Sequence, residues 1–262
     1  MSKRLSKTGV EYGDYSWNPF PGCLHKPQGK CPVEHCWAEG MWKRQMGAAA
    51  KRGIILPDFH HPHLIPELLL APLSIKKPAR ILVNFMGDLF GDWVNPSLPI
   101  GKTVWLGRAG IGLADSLSLR DAIYQIIRFC PQHTFIFLTK NPFGLIPWSP
   151  FPKNCRVGVS VCNQAMYDTA MNYLVFLDSG LTFLSFEPLQ GHIEIDRDAA
   201  QGWYIIGQET PVKASTSPKI SWIEEIEEAA HSAGIAYFEK DNLRLLLNRQ
   251  LVQDFPQTTF GE

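Results

Sequence analysis

The sequence has no net charge, because 25 lysine and arginine residues are matched by 25 aspartate and glutamate residues. Nonspecific polyanion binders draw their affinity from neutralised phosphates, so the molecule as a whole is not built for that task, and only a local basic patch could serve it. No apolar run reaches the ~18 residues of a membrane helix. The basic start, Met1-Ser2-Lys3-Arg4, is not followed by the apolar segment of a signal sequence. The expectation is therefore a soluble, cytoplasmic protein without membrane contact. Internal repeats and low-complexity tracts are also lacking. Charged residues make up only 19% of the chain, against ~25% in average globular proteins. Hydrophobic residues make up 45%, enough for a large core. Six cysteines occur, but a disulfide framework belongs to short secreted chains, and this chain is not short.

What is present from residue 79 onward is one repeated theme: a short β-branched or aromatic run, then a polar loop, then in several cases a helical pattern. Strands are predicted at 15–17, 81–85, 134–138, 156–161, 181–186, 203–206 and 235–238. Helices are predicted at 37–51, 119–130, 164–177, 222–233 and 243–251, each with apolar residues at three- and four-residue spacing. Alternation of this kind points to an α/β fold with parallel strands, a partial or full barrel of six or seven strands forming one domain over 1–262. The segment 94–118, rich in Gly, Pro, Leu and Ser, interrupts the theme and is read as an irregular insertion.

In parallel α/β folds, chemistry collects where the strands end and the βα loops begin. The residues there are Asn84, Asp88, Thr139, Lys140, Ser160, Glu187, Gln208, Glu209 and Lys240. Buried charge is expensive unless it is paired or functional, so a set this polar after such apolar strands points to a shared cleft. Glu187, Glu209 and Lys240 are the substrate-facing candidates, able to bind a polar group or transfer a proton. They could equally form a structural ion network.

Three cysteines cluster in the loop 22–37, with seven residues between Cys23 and Cys31 and four between Cys31 and Cys36. Gly22, Pro27, Gly29 and Pro32 favour a loop that wraps the three thiols around one centre. Two readings stand. A zinc site would add His25 or His35 to make a Cys3His tetrahedron. An iron-sulfur cluster would take three cysteines and leave one iron open. Cys130, Cys155 and Cys162 fall singly in apolar segments and read as buried thiols. The run His60-His61-Pro62-His63 lacks helical spacing and reads as a surface connection.

Trp17-Asn18-Pro19, Gly22-Cys23, Cys31 and Cys36-Trp37-Ala38-Glu39 resemble the signature of a phage- and prophage-associated family of radical S-adenosylmethionine (SAM)-like proteins. The resemblance continues through Asn84-Phe85-Met86-Gly87-Asp88, Leu138-Thr139-Lys140-Asn141-Pro142, Gly158-Val159-Ser160-Val161, Phe186-Glu187-Pro188, Gly207-Gln208-Glu209 and Phe238-Glu239-Lys240. It also extends, at a distance, to spore photoproduct lyases. The intervals between cysteines are longer than is usual in radical SAM enzymes, and His35 stands where an aromatic residue commonly precedes the third cysteine.

The resemblance implies a barrel of the radical SAM type, with a 4Fe-4S cluster on Cys23, Cys31 and Cys36. It implies reductive cleavage of SAM to a 5′-deoxyadenosyl radical, with electrons from a donor such as flavodoxin or ferredoxin. By the same analogy Asn84 and Asp88 meet the SAM amino group, Ser160 holds its ribose or carboxylate, and Trp37 shields the cluster or stacks near adenine. A nucleic acid or nucleotide is the favoured substrate class. The contrasting expectation is a zinc-stabilised, non-catalytic binding protein that uses the same cysteines structurally.

Overall fold

The computed structural model describes residues 5–106, 111–177, 179, 181–196 and 201–257. The basic residues at 1–4 and the centre of the predicted insertion, 107–110, lie outside the described residues. The strands are β1 (Ser6–Lys7), β2 (Tyr15–Trp17), β3 (Arg80–Val83), β4 (Val104–Leu106), β5 (Ile111–Leu113), β6 (Thr134–Thr139), β7 (Cys155–Ser160), β8 (Leu181–Phe186), β9 (Trp203–Ile206) and β10 (Ala236–Glu239). The α-helices are α1 (Trp37–Ala50), α2 (Leu119–Phe129), α3 (Gln164–Leu174), α4 (Ile220–Ser232) and α5 (Arg244–Leu247).

Eight strands form one sheet in the order β1-β2-β3-β6-β7-β8-β9-β10. The terminal pair β1–β2 is antiparallel and every later neighbour is parallel. Each parallel strand is laid beside its predecessor in a single direction, so right-handed crossovers place the connecting helices on one face. Among the described residues no ladder joins β10 back to β1 or β2. The sheet is thus mostly parallel, as the alternation predicts, and it is not closed by hydrogen bonds.

Both faces are apolar, the mark of a sheet covered on both sides. On the helix side, Ile81, Val83, Phe135, Phe137, Leu184, Phe186, Tyr204 and Ile206 pack with Ile123, Ile127, Ala170, Ile223 and Ile226 in one continuous core. The alternate residues Leu82, Ile136, Phe183, Ile205 and Phe238 build a second, smaller core with Tyr12. The helices are set by local signals. Ser118 accepts from Asp121 N at 3.0 Å to cap α2, and Asn163 accepts from Met166 N at 3.1 Å to cap α3. Gly234, at φ +65°, ends α4, where Ile235 N returns to Ala230 O at 2.8 Å.

Two predicted features differ from the observed ones. The segment 94–118 is not wholly irregular, because β4 and β5 pair antiparallel within it. Val104 and Leu113 are buried from this hairpin while Trp105 is exposed; its short alternation is masked by the surrounding Gly, Pro and Ser. The predicted helix at 243–251 is a single turn, α5, because Asn248 turns left-handed at φ +48°. Beyond it the chain runs beside β10, where the wholly buried Glu239 accepts from Arg249 at 2.8 and 2.9 Å and from Val252 N at 2.9 Å. That ion pair and backbone bond outweigh the helical pattern.

Candidate functional site

All seven parallel strands end at one cleft, and the three clustered cysteines line it. Its wall takes Asp88 from beyond β3, Thr139 and Lys140 from β6, and Ser160 from β7. Glu187 follows β8, Gln208 and Glu209 follow β9, and Lys240 and Asn242 follow β10. Facing them from the loop after β2 are Cys23, His25, Cys31, His35, Cys36 and Trp37.

The loop is anchored by its own sequence. Asn18 Oδ1 accepts from Met86 N at 2.9 Å, and Asn84 Oδ1 accepts from Phe20 N at 3.0 Å, so the Trp-Asn-Pro segment and the end of β3 bind each other reciprocally. Asn84, at φ +61°, is buried behind the wall and does not line the cleft; it positions the loop. Gly22 N then donates to Met86 O at 2.9 Å. At this crossing a Cβ on Gly87 would lie 2.4 Å from Gly22 O, so the two backbones approach as only glycine permits. The histidine run is a partly exposed connection, with His61 exposed, and it also braces the loop: Phe59 O, just before it, accepts from Cys23 N at 3.1 Å and His60 Nδ1 donates to Cys23 O at 3.0 Å. Cys36 is the N-cap of α1 and makes no side-chain capping bond, which leaves its sulfur at a helix end that favours negative charge.

Asp88 is buried and fully engaged. It accepts from Thr139 Oγ1 at 2.8 Å, Lys140 N at 3.1 Å, Phe90 N at 3.0 Å and His25 Nε2 at 2.8 Å. Asp88 lines the cleft. The structure adds that its oxygens are already occupied, and that His25 stands beside it with a buried Nδ1 lacking any partner.

On the far wall Lys240 Nζ lies 2.7 Å from Glu187 Oε2 and 4.0 Å from Glu11 Oε2. Burial works against the Lys240 ammonium, but the two carboxylates outweigh it and raise its pKa. Tyr12, also buried, is pushed well above the ordinary phenol range by burial and then by Glu187 and Glu11. Gln208 is tied to Asn242 O and Ser217 Oγ. Glu209 differs from its neighbours, since it is 6% exposed and its Oε1 has no hydrogen-bond partner. Ser160 is buried, whereas Trp37 is 47% exposed and reaches solvent.

The cysteine sulfurs suit a soft or polynuclear centre by their chemistry. Burial pushes the Cys23 thiol up to about 12, with nearby Asp88, Cys36 and Cys31 adding to the rise against a backbone hydrogen bond from His25. A bound metal would deprotonate such a thiol outright. Among the described residues no three Cys, His, Asp or Glu side chains converge as ligands of one metal ion. A single zinc, with Zn–S of about 2.3 Å, draws its thiolates close together, while a four-iron cube spreads them over its corners. The three thiols line one cleft, a set of soft sulfur donors that either centre could use.

A family model matches residues 7–103 and 115–244, most of the chain. The chain belongs to the DUF5131 family, described as "Protein of unknown function". The DUF5131 match includes every parallel strand and every cleft residue named above, and it skips 104–114, the stretch that carries the β4–β5 hairpin. Among the described residues, none of the hairpin lines the cleft. No curated protein and no solved structure matches the chain.

His25 and Asn242 line the cleft, and Glu11 and Tyr12 act behind it on Lys240 and Glu187, without having been singled out as site residues from sequence. His25 was visible only as a zinc-ligand candidate. The others gave no signal, because their roles come from contacts spanning 34 to 230 residues, such as Asp241 N to Glu11 Oε1.

Proposed function

We propose that the chain is an iron-sulfur enzyme of the radical SAM type, with a 4Fe-4S cluster on Cys23, Cys31 and Cys36. One observation carries the reading: three thiols of the loop after β2 share a cleft with polar residues from the ends of the other six parallel strands. Bound there and reduced, the cluster would supply the electron that splits SAM, radical chemistry that belongs to the cofactor while the protein orients and shields. Ser160 binds the ribose or carboxylate of SAM, and Trp37 covers the cluster side of the cleft. Asp88 acts through His25, because its own oxygens are taken. Asn84 sets the loop in place.

The substrate faces the residues after β8, β9 and β10. Glu209 offers it an unpaired carboxylate oxygen, a natural acceptor for an amine or for the N–H edge of a base. The Glu187–Lys240 pair can hold a proton next to the reacting carbon or return one after hydrogen abstraction. A nucleotide or single-stranded nucleic acid is the proposed substrate class, supported by the exposed Trp37 ring on the rim, which suits base stacking. Flavodoxin or ferredoxin is the proposed electron source.

The deciding experiment is anaerobic reconstitution with iron and sulfide, then reduction with dithionite in the presence of SAM, scoring 5′-deoxyadenosine for wild type and Cys36→Ala. Product from the wild type alone supports the reading. A colourless protein with one zinc per chain replaces it with the zinc-stabilised binding protein.

A further inference from the structure

His25 is the one imidazole in the cleft that is both buried and half-used. Its ring is 4% exposed, Nε2 sits 2.8 Å from Asp88 Oδ2, and Trp93 meets it edge-on at 4.8 Å between ring centroids. The tautomer follows from the partners. Asp88 Oδ2 also accepts from the Lys140 backbone N–H, so it is an acceptor, and His25 Nε2 must carry the hydrogen in their contact. In the neutral ring the lone pair then lies on Nδ1, which has no partner and is sealed from water. A histidine fixed through one nitrogen by a carboxylate, with the other presented bare, is the arrangement by which proteins orient imidazole onto a metal.

The position agrees with that use. His25 is two residues from Cys23 on the same anchored loop, and His25 O accepts from Lys30 N at 2.8 Å, which closes the turn leading to Cys31. Both residues line the cleft. By contrast, His35 is exposed and its Nε2 accepts from Lys213 Nζ at 3.0 Å. Of the two histidines in the cysteine loop, only His25 is built as a ligand.

Resting on the iron-sulfur reading above, we propose that His25 Nδ1 is the fourth protein ligand of the cluster in the resting protein. It occupies the iron that three cysteines leave open, and SAM displaces it. No electron changes hands in this exchange: the Fe–N(imidazole) bond would break, bonds from the SAM amine and carboxylate would form, the SAM ammonium would give up one proton to free its lone pair, and the released His25 Nδ1 would accept that proton. Such a cap protects the open iron until SAM arrives, and it gives His25 and Asp88 a shared task.

The test is pulsed EPR of the reduced, reconstituted protein made with ¹⁴N- or ¹⁵N-histidine, which needs no substrate turnover. The expected result is a strong histidine nitrogen coupling that shifts with the isotope, is lost on adding SAM, is lost in His25→Ala and persists in His35→Ala. A cluster that assembles in the wild type without histidine coupling, or with coupling that vanishes only in His35→Ala, overturns the proposal and leaves the iron-sulfur reading standing. If no cluster assembles in the wild type, both fall together. Because the isotope shift and SAM displacement are read on the wild type, a misfolded variant cannot decide the outcome.

Discussion

Replacing Gly87 by alanine isolates the contact that holds the cysteine loop to the sheet. The added Cβ would sit 2.4 Å from Gly22 O and 2.8 Å from Gly22 N, and both are backbone atoms that cannot rotate aside. Gly22 has no room to retreat, since its own open side faces Pro62 Cα and Phe59 O at 2.7 and 2.9 Å from an ideal Cβ. The loop must therefore lift. Overpacking of this kind costs ~1–3 kcal/mol. Loss of the Gly22 N to Met86 O hydrogen bond adds about 1 kcal/mol. A destabilisation of about 2–4 kcal/mol is expected in urea melts. Iron bound per chain after reconstitution should fall with it, because Cys23 is the next residue. Gly191 provides the control: nothing lies within 4 Å of its ideal Cβ, and Gly191→Ala should shift stability by less than about 0.5 kcal/mol. A Gly87→Ala protein with wild-type stability and wild-type iron content would refute the claim that this crossing positions the loop.

Glu209→Gln should leave the ligand-free protein equally stable or stabilise it by about 1 kcal/mol, since it removes a buried charge with an unpartnered oxygen; a loss above 1 kcal/mol in guanidinium melts would reveal a partner. Lys240→Met should cost about 3 kcal/mol by stranding Glu187. The same substitution should change the alkaline limb of the stability curve. The folded pKa of Lys240 is raised above that of a free lysine side chain, so its contribution is complete below the free value and disappears as pH rises through the folded pKa. Wild type should therefore lose stability above that pH more steeply than Lys240→Met, and parallel curves would exclude the pairing as the cause. Asp88→Asn should destabilise by about 3 kcal/mol, and its cycle with His25→Ala should show at least about 0.5 kcal/mol of coupling; additive effects would mean that the two side chains do not act as a unit.

Most of the sheet was legible because buried parallel strands announce themselves as short β-branched and aromatic runs. The runs at 15–17, 181–186 and 203–206 have the observed limits. Strand ends moved by a residue or two where pairing and not composition decides, as at β3, which stops at Val83 because Asn84 turns left-handed to reach Phe20. The predicted helix at 243–251 failed for a tertiary reason, the capture of Arg249 and Val252 by Glu239. Cleft residues from strand ends were legible through their polarity after apolar runs. Whether such a residue is free or committed was not. Asp88, Glu187 and Glu209 look alike in sequence, yet Asp88 is saturated by four donors, Glu187 holds an ammonium and Glu209 has an open oxygen.

That difference among three carboxylates bears on how the cleft works. Asp88 with His25 on the sulfur side, and Glu187 with Lys240 on the far side, are each compensated within the protein, so neither needs a ligand to be stable where it is. Two buried acceptors on cleft-lining residues have no partner: His25 Nδ1, in the cysteine loop, and Glu209 Oε1, after β9. A buried acceptor without a donor is destabilising by ~1–3 kcal/mol, and two of them in one cleft are hard to explain as packing accidents. Two acceptors also make a prediction about what enters. Two bare acceptors in one cleft favour an occupant that donates hydrogen bonds or carries positive charge over a small anion.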